Sequence, residues 1–206
     1  MKRIIISQRI DVTDTGETRD SLDQNWFFFL QETFGKIELI QVSNVCRSLN
    51  WLESIKPDLI VLSGGNDIGQ YPSRDNVERQ LLEYSKLFNI PLLGFCRGAQ
   101  FIARNFNAEF VDLDTKHIAR RHELKLNAKL SKYRKENYNS FHRWGISETV
   151  QFCLEVNILG FSLEGHVEVF RVKKYNVLGV MWHPERELPF HQQDIDLVKD
   201  FFGGLI

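Results

Sequence analysis

The pentapeptide Gly94-Phe95-Cys96-Arg97-Gly98 has the form Gly-x-Cys-x-Gly and stands between an apolar run and a helical pattern. Glycines on both sides of a cysteine allow a tight strand-to-helix turn that lifts the sulfur above a sheet. At the N-terminus of the following helix, the dipole and the free N–H groups favour a thiolate. Taken alone, the pentapeptide fits a reactive nucleophile and a buried, inert cysteine equally well. A thiolate that attacks a carbonyl also needs donors for the developing oxyanion and a base. The backbone N–H of Arg97 is one candidate donor. The second comes from Ser63-Gly64-Gly65-Asn66-Asp67, which follows another apolar run, with Gly65 as the donor. The candidate base is His183 in Met181-Trp182-His183-Pro184-Glu185. Residues i and i+2 of an extended chain face the same way, so Glu185 can orient the imidazole and stabilise its cation. His117, His122, His142, His166 and His191 lack this carboxylate-paired, strand-end context.

These groups must be carried to one place by the elements between them. Residues 3–7 read as a buried strand and 21–34 as a helix, with Ser21 as its N-cap and Gly35 as its stop. A strand at 37–42 and a short helix at 45–55 follow. Residues 58–62 form a continuous apolar strand, 74–88 a charged amphipathic helix, 91–95 another apolar strand and 97–106 a helix. Apolar strands without alternation are covered on both faces. Their alternation with helices predicts an α/β fold: a mostly parallel central sheet flanked by helices. Ligands bind such sheets at the carboxyl ends of the strands, here after Ser7, Leu62 and Phe95. From residue 156 to 182, strand-like stretches separated by Gly160, Gly165 and Tyr175-Asn176 predict a small antiparallel meander. A helix at 192–202 completes the pattern. With no internal repeat and no linker, residues 1–206 read as one domain.

Composition narrows the function classes. The chain has 206 residues, 43% hydrophobic and 26% charged, with a formal net charge of −1. This excludes a whole-chain polycation for nucleic acid or membrane and a disordered or low-complexity chain. No apolar run is long enough for a secretory signal or a membrane span, so a cytoplasmic protein is expected. Three widely spaced cysteines, Cys46, Cys96 and Cys153, do not make a disulfide framework. The absence of a Cys-x-x-Cys pair argues against structural zinc, and thiolate chemistry calls for neither metal nor organic cofactor. One local charge run stands out. Residues 116–135 hold Lys116, Arg120, Arg121, Lys125, Lys129, Lys132, Arg134 and Lys135 against the single acid Glu123.

Taken together, Gly-Phe-Cys-Arg-Gly-Ala-Gln, Ser-Gly-Gly-Asn-Asp and Trp-His-Pro-Glu, in this order and spacing, resemble the class I glutamine amidotransferase superfamily. The resemblance is to its γ-glutamyl hydrolase, C26 peptidase-like branch. Asn139-Ser140-Phe141-His142 resembles that branch's Asn-Ser-x-His loop, and Ser162-Leu163-Glu164-Gly165-His166-Val167-Glu168 its Ser-x-Asp-Gly-x-Ile-Glu hairpin. The resemblance implies a flavodoxin-like sheet and a Cys96–His183–Glu185 triad acting on a γ-glutamyl amide through a glutamyl thioester. It also implies that Gln100 contacts the glutamyl head group and that Asn139, Ser140 and Phe141 line its pocket. Three positions depart from the pattern. Ser63 replaces the usual Pro, Met181 replaces the Gln before Trp-His-Pro-Glu, and His142-Arg143-Trp144 replaces His-His-Gln. Arg143 would repel a polyamine-type leaving group. With Arg9 and the basic run it suggests a rim for an anionic, phosphate- or nucleotide-bearing adduct, on which Trp144 or Tyr138 would stack. A freestanding hydrolase of a small molecule is the leading reading, since no synthetase or ammonia-acceptor region follows Glu185. A glutaminase subunit with a synthetase partner, a homo-oligomer, and a redox role for Cys96 stay open as alternatives.

Overall fold

The computed structural model describes residues 1–113 and 118–206; Lys116 and His117, named above, lie outside the described residues. In chain order the first half runs β1 (Lys2–Ser7), β2 (Arg9–Val12), β3 (Thr18–Ser21), α1 (Asn25–Phe34), β4 (Ile37–Val42), α2 (Leu52–Ile55), β5 (Leu59–Leu62), α3 (Pro72–Phe88), β6 (Leu92–Phe95) and α4 (Arg97–Asn105). The second half runs β7 (Phe110–Asp112), β8 (Arg120–His122), β9 (Leu124–Leu126), β10 (Tyr138–Ser140), β11 (Trp144–Ile146), α5 (Val150–Glu155), β12 (Val156–Ser162), β13 (Val167–Val172), β14 (Val177–Val180) and α6 (Gln192–Phe202).

The apolar runs become the parallel part of the sheet, in the order β4-β1-β5-β6-β14. Neighbouring residues of these strands enter opposite cores. Ile5, Ile60, Leu62 and Leu92 pack with Val77, Leu81 and Leu82 of α3 and with Phe101 and Ile102 of α4. Ile4, Ile6, Leu59, Val61, Leu93 and Phe95 pack with Trp26, Phe29 and Leu30 of α1 and with Ile195, Val198 and Phe201 of α6. A strand buried on both faces gains from every side chain, which is why these runs are apolar without alternation. Beyond β14 the sheet turns antiparallel through β13, which pairs with β12 and β11; β9 and β7 extend it. The α/β architecture, with helices on both faces and an antiparallel extension, is the one expected from the sequence. Among the described residues, no helix is long and apolar enough to cross a membrane.

Local departures have identifiable causes. Ser21 does not cap α1, because it ends β3 and is paired with Arg9 in the β2–β3 hairpin. Asp23 takes over at the helix start, its Oδ1 accepting the N–H of Asn25 at 2.9 Å. The stop at Gly35 holds, at φ 74°. The helix expected at 45–55 shrinks to α2. Upstream, the Asn44 side chain donates to the Gln8 carbonyl and to Asp20, and Ser43 also donates to Asp20. Such side-chain bonds compete with helix formation. Gly160 does not divide two strands: it forms a bulge inside β12, where a Cβ would lie 2.6 Å from Leu126 and 2.8 Å from Val169. Gly165 does turn the chain, between β12 and β13. The run 177–180 belongs to both halves, pairing antiparallel with β13 and parallel with β6.

Candidate active site

β6 and β14 run side by side and in parallel, so residues that follow their carboxyl ends meet. Cys96 is the first residue after β6. Its N–H donates to the Val180 carbonyl of β14 at 2.7 Å, and its own carbonyl accepts from Gln100 N–H at 3.0 Å. The turn into α4 puts Cys96 at φ 49°, ψ −107°, a left-handed region that a non-glycine residue rarely adopts. The flanking glycines make room for it. A Cβ on Gly98 would stand 2.1 Å from the Leu62 carbonyl oxygen of β5, so α4 starts in direct contact with the neighbouring strand.

His183 follows β14 and is buried, as is Glu185. Its Nδ1 lies 2.7 Å from Oε1 of Glu185. The i, i+2 relation expected from extended chain is realised at the entry to a single helical turn over Pro184–Arg186. The backbone of His183 is held from both sides by Asn139: Oδ1 accepts the His183 N–H at 2.8 Å, and Nδ2 donates to the His183 carbonyl at 2.7 Å and to Glu187 at 2.8 Å. Phe141 meets the imidazole edge-on at a centroid separation of 5.5 Å. A Cβ on Gly64 would lie 2.6 Å from His183 Cε1, so only glycine lets this loop pass beneath the ring. Burial alone would lower the His183 pKa. The neighbouring Cys96 and the Glu185 carboxylate outweigh it and lift the pKa to about 10. His183 therefore carries its proton at neutral pH.

The loop carrying Gly65 is fixed by a buried network where the sequence pattern suggests a charged helix face. Arg74 and Glu78, one helical turn apart in α3, are completely buried and joined at 3.0 Å. Arg74 donates to the carbonyls of Ser63 and Gly64 at 2.9 Å each. Glu78 also accepts from Ser7 Oγ at 2.9 Å and pairs with Arg97, which pairs in turn with Asp75. Arg97 reaches the Asn66 carbonyl at 3.1 Å. Burial, and then repulsion from Arg9, brings Arg74 down to about 9; burial, and then Arg74, does the same to Arg97. Both stay cationic at neutral pH, and both pair with Glu78. We expect Glu78→Ala to take from Arg74 its buried carboxylate partner and from Arg97 one of its two, and to cost about 3–5 kcal/mol, read as a large fall in the urea unfolding midpoint. An unchanged midpoint would show that the network does not depend on Glu78.

Cys96 opens into a cleft of about 470 Å³ that Arg9, Gly65, Arg97, Gln100, Phe141, Arg143 and His183 also line. Eight of the candidate residues thus meet in one place. Glu185 borders a second cavity of about 300 Å³, which His183 also lines. Trp144 lies in a third, of about 720 Å³, separated from the cleft by Gln100, whose Nε2 donates to the Trp144 carbonyl at 2.7 Å. Asn139 and Ser140 are buried and border none of these cavities.

The described part of the basic run does not form the expected rim. Of residues 118–135, only Ile118 lines the cleft. Arg121 pairs with Glu187, Lys132 with Asp200, and the buried Lys135 with Asp194. Tyr138, offered as a stacking residue, is buried against Trp182. Arg143 does line the cleft, but its guanidinium is held by both oxygens of Asp112. A cation that the motifs do not single out, Arg186, borders the cleft one residue past Glu185. Its only signal in the sequence is its position beside the His-Pro-Glu motif.

Comparisons with known proteins agree with this fold. A family model, glutamine amidotransferase class-I, matches residues 19–203. The chain is 32% identical over 208 residues to a γ-glutamyl-CDP-amidate hydrolase of Campylobacter jejuni, covering 96% of each chain. It is 32% identical over 131 residues to one subunit of the glutamine-hydrolysing GMP synthase of Methanococcus vannielii, covering 61% of this chain and 63% of that one. A glutamine amidotransferase structure from Thermotoga maritima shares the fold, with a TM-score of 0.66 at 16% identity over 98% of this chain and 84% of that one.

Proposed function

We propose, for a chain that belongs to the class-I glutamine amidotransferase family and is an enzyme of that amide-hydrolysing kind, a specific reaction: hydrolysis of a γ-glutamyl amide by a Cys96–His183–Glu185 triad. The observation that carries it is the placement of Cys96 at a left-handed turn beside β14, with His183 buried just beyond that strand and locked to Glu185 at 2.7 Å. The Cys96 thiolate adds to the γ-carbonyl carbon, and the N–H groups of Gly65 and Arg97 hold the oxyanion. The C–N bond breaks as His183 gives its proton to the departing nitrogen. Neutral His183 then takes a proton from water, whose oxygen attacks the glutamyl thioester. The C–S bond breaks, glutamate leaves, and the thiolate–imidazolium pair is restored. Glu185 holds the imidazole and stabilises its cation. Gln100 and the Phe141 segment take the glutamyl head group, while Asn139 serves by holding His183. Residues 1–206 act as one domain, with no metal or organic cofactor.

The leaving group is anionic. The likeness to γ-glutamyl-CDP-amidate hydrolase along nearly the whole chain supports this reading, as does the presence of Arg9, Arg143 and Arg186 around the cleft. The likeness to a GMP synthase subunit favours a second reading, a glutaminase that works with a synthetase partner. The two are separated by measuring glutamate release by the isolated protein from glutamine, γ-glutamyl-amines, γ-glutamyl-oligoglutamate and γ-glutamyl-CDP-amidate. Efficient turnover of the nucleotide adduct, well above that of glutamine, is expected. Feeble turnover of every compound would overturn the freestanding hydrolase in favour of the partner-dependent one.

A further inference from the structure

The cleft that holds Cys96 and the smaller cavity beyond it share four lining residues: Arg9, Gly65, His183 and Arg186. Cys96 borders only the first cavity and Glu185 only the second. His183 therefore stands at the seam. In the reaction proposed above, on which this inference rests, the glutamyl half stays on the Cys96 side, toward Gln100. The departing nitrogen takes its proton from His183. A group bonded to that nitrogen lies beside His183, where Arg9 and Arg186 border both cavities.

We propose that Arg9 and Arg186 form a clamp for a phosphoryl group bonded to the scissile nitrogen, and that the smaller cavity receives the rest of the leaving group. Both side chains are set up for this role. The Arg186 guanidinium lies 4.3 Å from the centre of the Phe141 ring, which itself packs on His183. Among the described residues its one ion pair is a long one, 3.7 Å from Nε to Glu185, and Glu185 is already committed to His183. Arg9 is partly exposed and, among the described residues, uses only Nε, on Asp11 at 2.8 Å. Each guanidinium keeps N–H donors for the paired contacts that phosphate oxygens accept. Gly65 lets Arg9 come close: a Cβ there would stand 2.7 Å from Arg9 Cβ and 3.1 Å from the buried Arg74 guanidinium. The acids of the smaller cavity are already engaged, Asp11 with Arg9, Glu185 with His183 and Asp23 at the start of α1. Of the other two arginines of the cleft, Arg97 is paired with Asp75 and Glu78, and Arg143 with Asp112.

The test compares kcat/KM on γ-glutamyl-CDP-amidate with that on an uncharged γ-glutamyl anilide, for wild type, Arg9→Gln, Arg186→Gln and Arg186→Lys. Each glutamine variant is expected to lower the preference for the anionic substrate about tenfold to a hundredfold, the size of a charge-assisted hydrogen bond, mainly through KM. Arg186→Lys should recover part of it. Equal losses on both substrates, or no loss on either, would overturn the clamp. CDP binding to the Cys96→Ala protein, by calorimetry, keeps the two readings apart. Should wild type hydrolyse neither substrate while CDP binding still weakens at least tenfold in both glutamine variants, the hydrolase reading falls and the phosphoryl site stands. Active wild type with CDP binding indifferent to both arginines removes the clamp alone.

Discussion

Cys96→Ala is expected to reduce glutamate release to background while leaving the urea unfolding midpoint near that of wild type. Cys96 is the nucleophile on which the proposed chemistry turns, and no other thiol is placed to replace it. Cys46 donates to the carbonyl of Ser48 and Cys153 sits beside Glu148; neither lines the cleft. The left-handed backbone at position 96 costs alanine about what it costs cysteine, so the fold has no reason to respond strongly. Cys96→Ser should be nearly as inert, because a hydroxyl does not ionise beside an imidazolium as a thiol does. The loss should exceed about 10⁴-fold, as when the nucleophile of an acyl-transfer triad is removed. A coupled glutamate assay reads the rate. Stoichiometric labelling by iodoacetamide, lost in Cys96→Ala and kept in Cys46→Ser and Cys153→Ser, reads the thiolate directly. Normal turnover by Cys96→Ala would end the covalent mechanism.

The sequence carries the parallel sheet openly because burial on both faces demands apolar residues at every position. Residues 59–62 and 92–95 have nothing polar to confuse the reading, and Ile37–Val42 and Gln192–Phe202 fall where periodicity places them. The Cys, Gly-Gly and His-Pro-Glu segments are readable because strand-end chemistry needs particular residue types at fixed offsets. What pattern does not reveal is the use made of charge. Arg74 and Glu78 look like any i, i+4 surface pair; only the fold shows them sealed beneath the Ser63–Gly64 turn, tying it to α3 and α4. The basic run looks like a substrate rim, yet its partners Glu187, Asp194 and Asp200 lie more than fifty residues away. Long-range pairing is set by topology, and a local window does not contain it. The same holds for Ser21, a good N-cap in isolation that the β2–β3 hairpin claims first.

His183→Ala is expected to lower kcat/KM by on the order of 10²–10⁴-fold through lost proton transfer alone, with a further loss because the thiolate forfeits its counter-ion. The pH dependence separates this role from a merely structural one. A folded pKa of about 10 keeps the imidazolium through neutral pH, so the alkaline limb of kcat/KM should fall near pH 10 in wild type. Glu185 is one of the groups that raise this pKa, against the lowering effect of burial; Glu185→Gln should therefore move the alkaline limb to lower pH. Stability carries the same sign. An imidazole whose pKa rises from 6.5 to about 10 on folding stabilises the native state fully below pH 6.5. That contribution fades as pH climbs toward 10. The urea midpoint of wild type should decline across this window, and that of His183→Ala, which lacks the titrating ring, should decline less. Parallel profiles for the two proteins would mean that His183 folds with an ordinary pKa, and a resting imidazolium would have to be abandoned even if Cys96 proved to be the nucleophile.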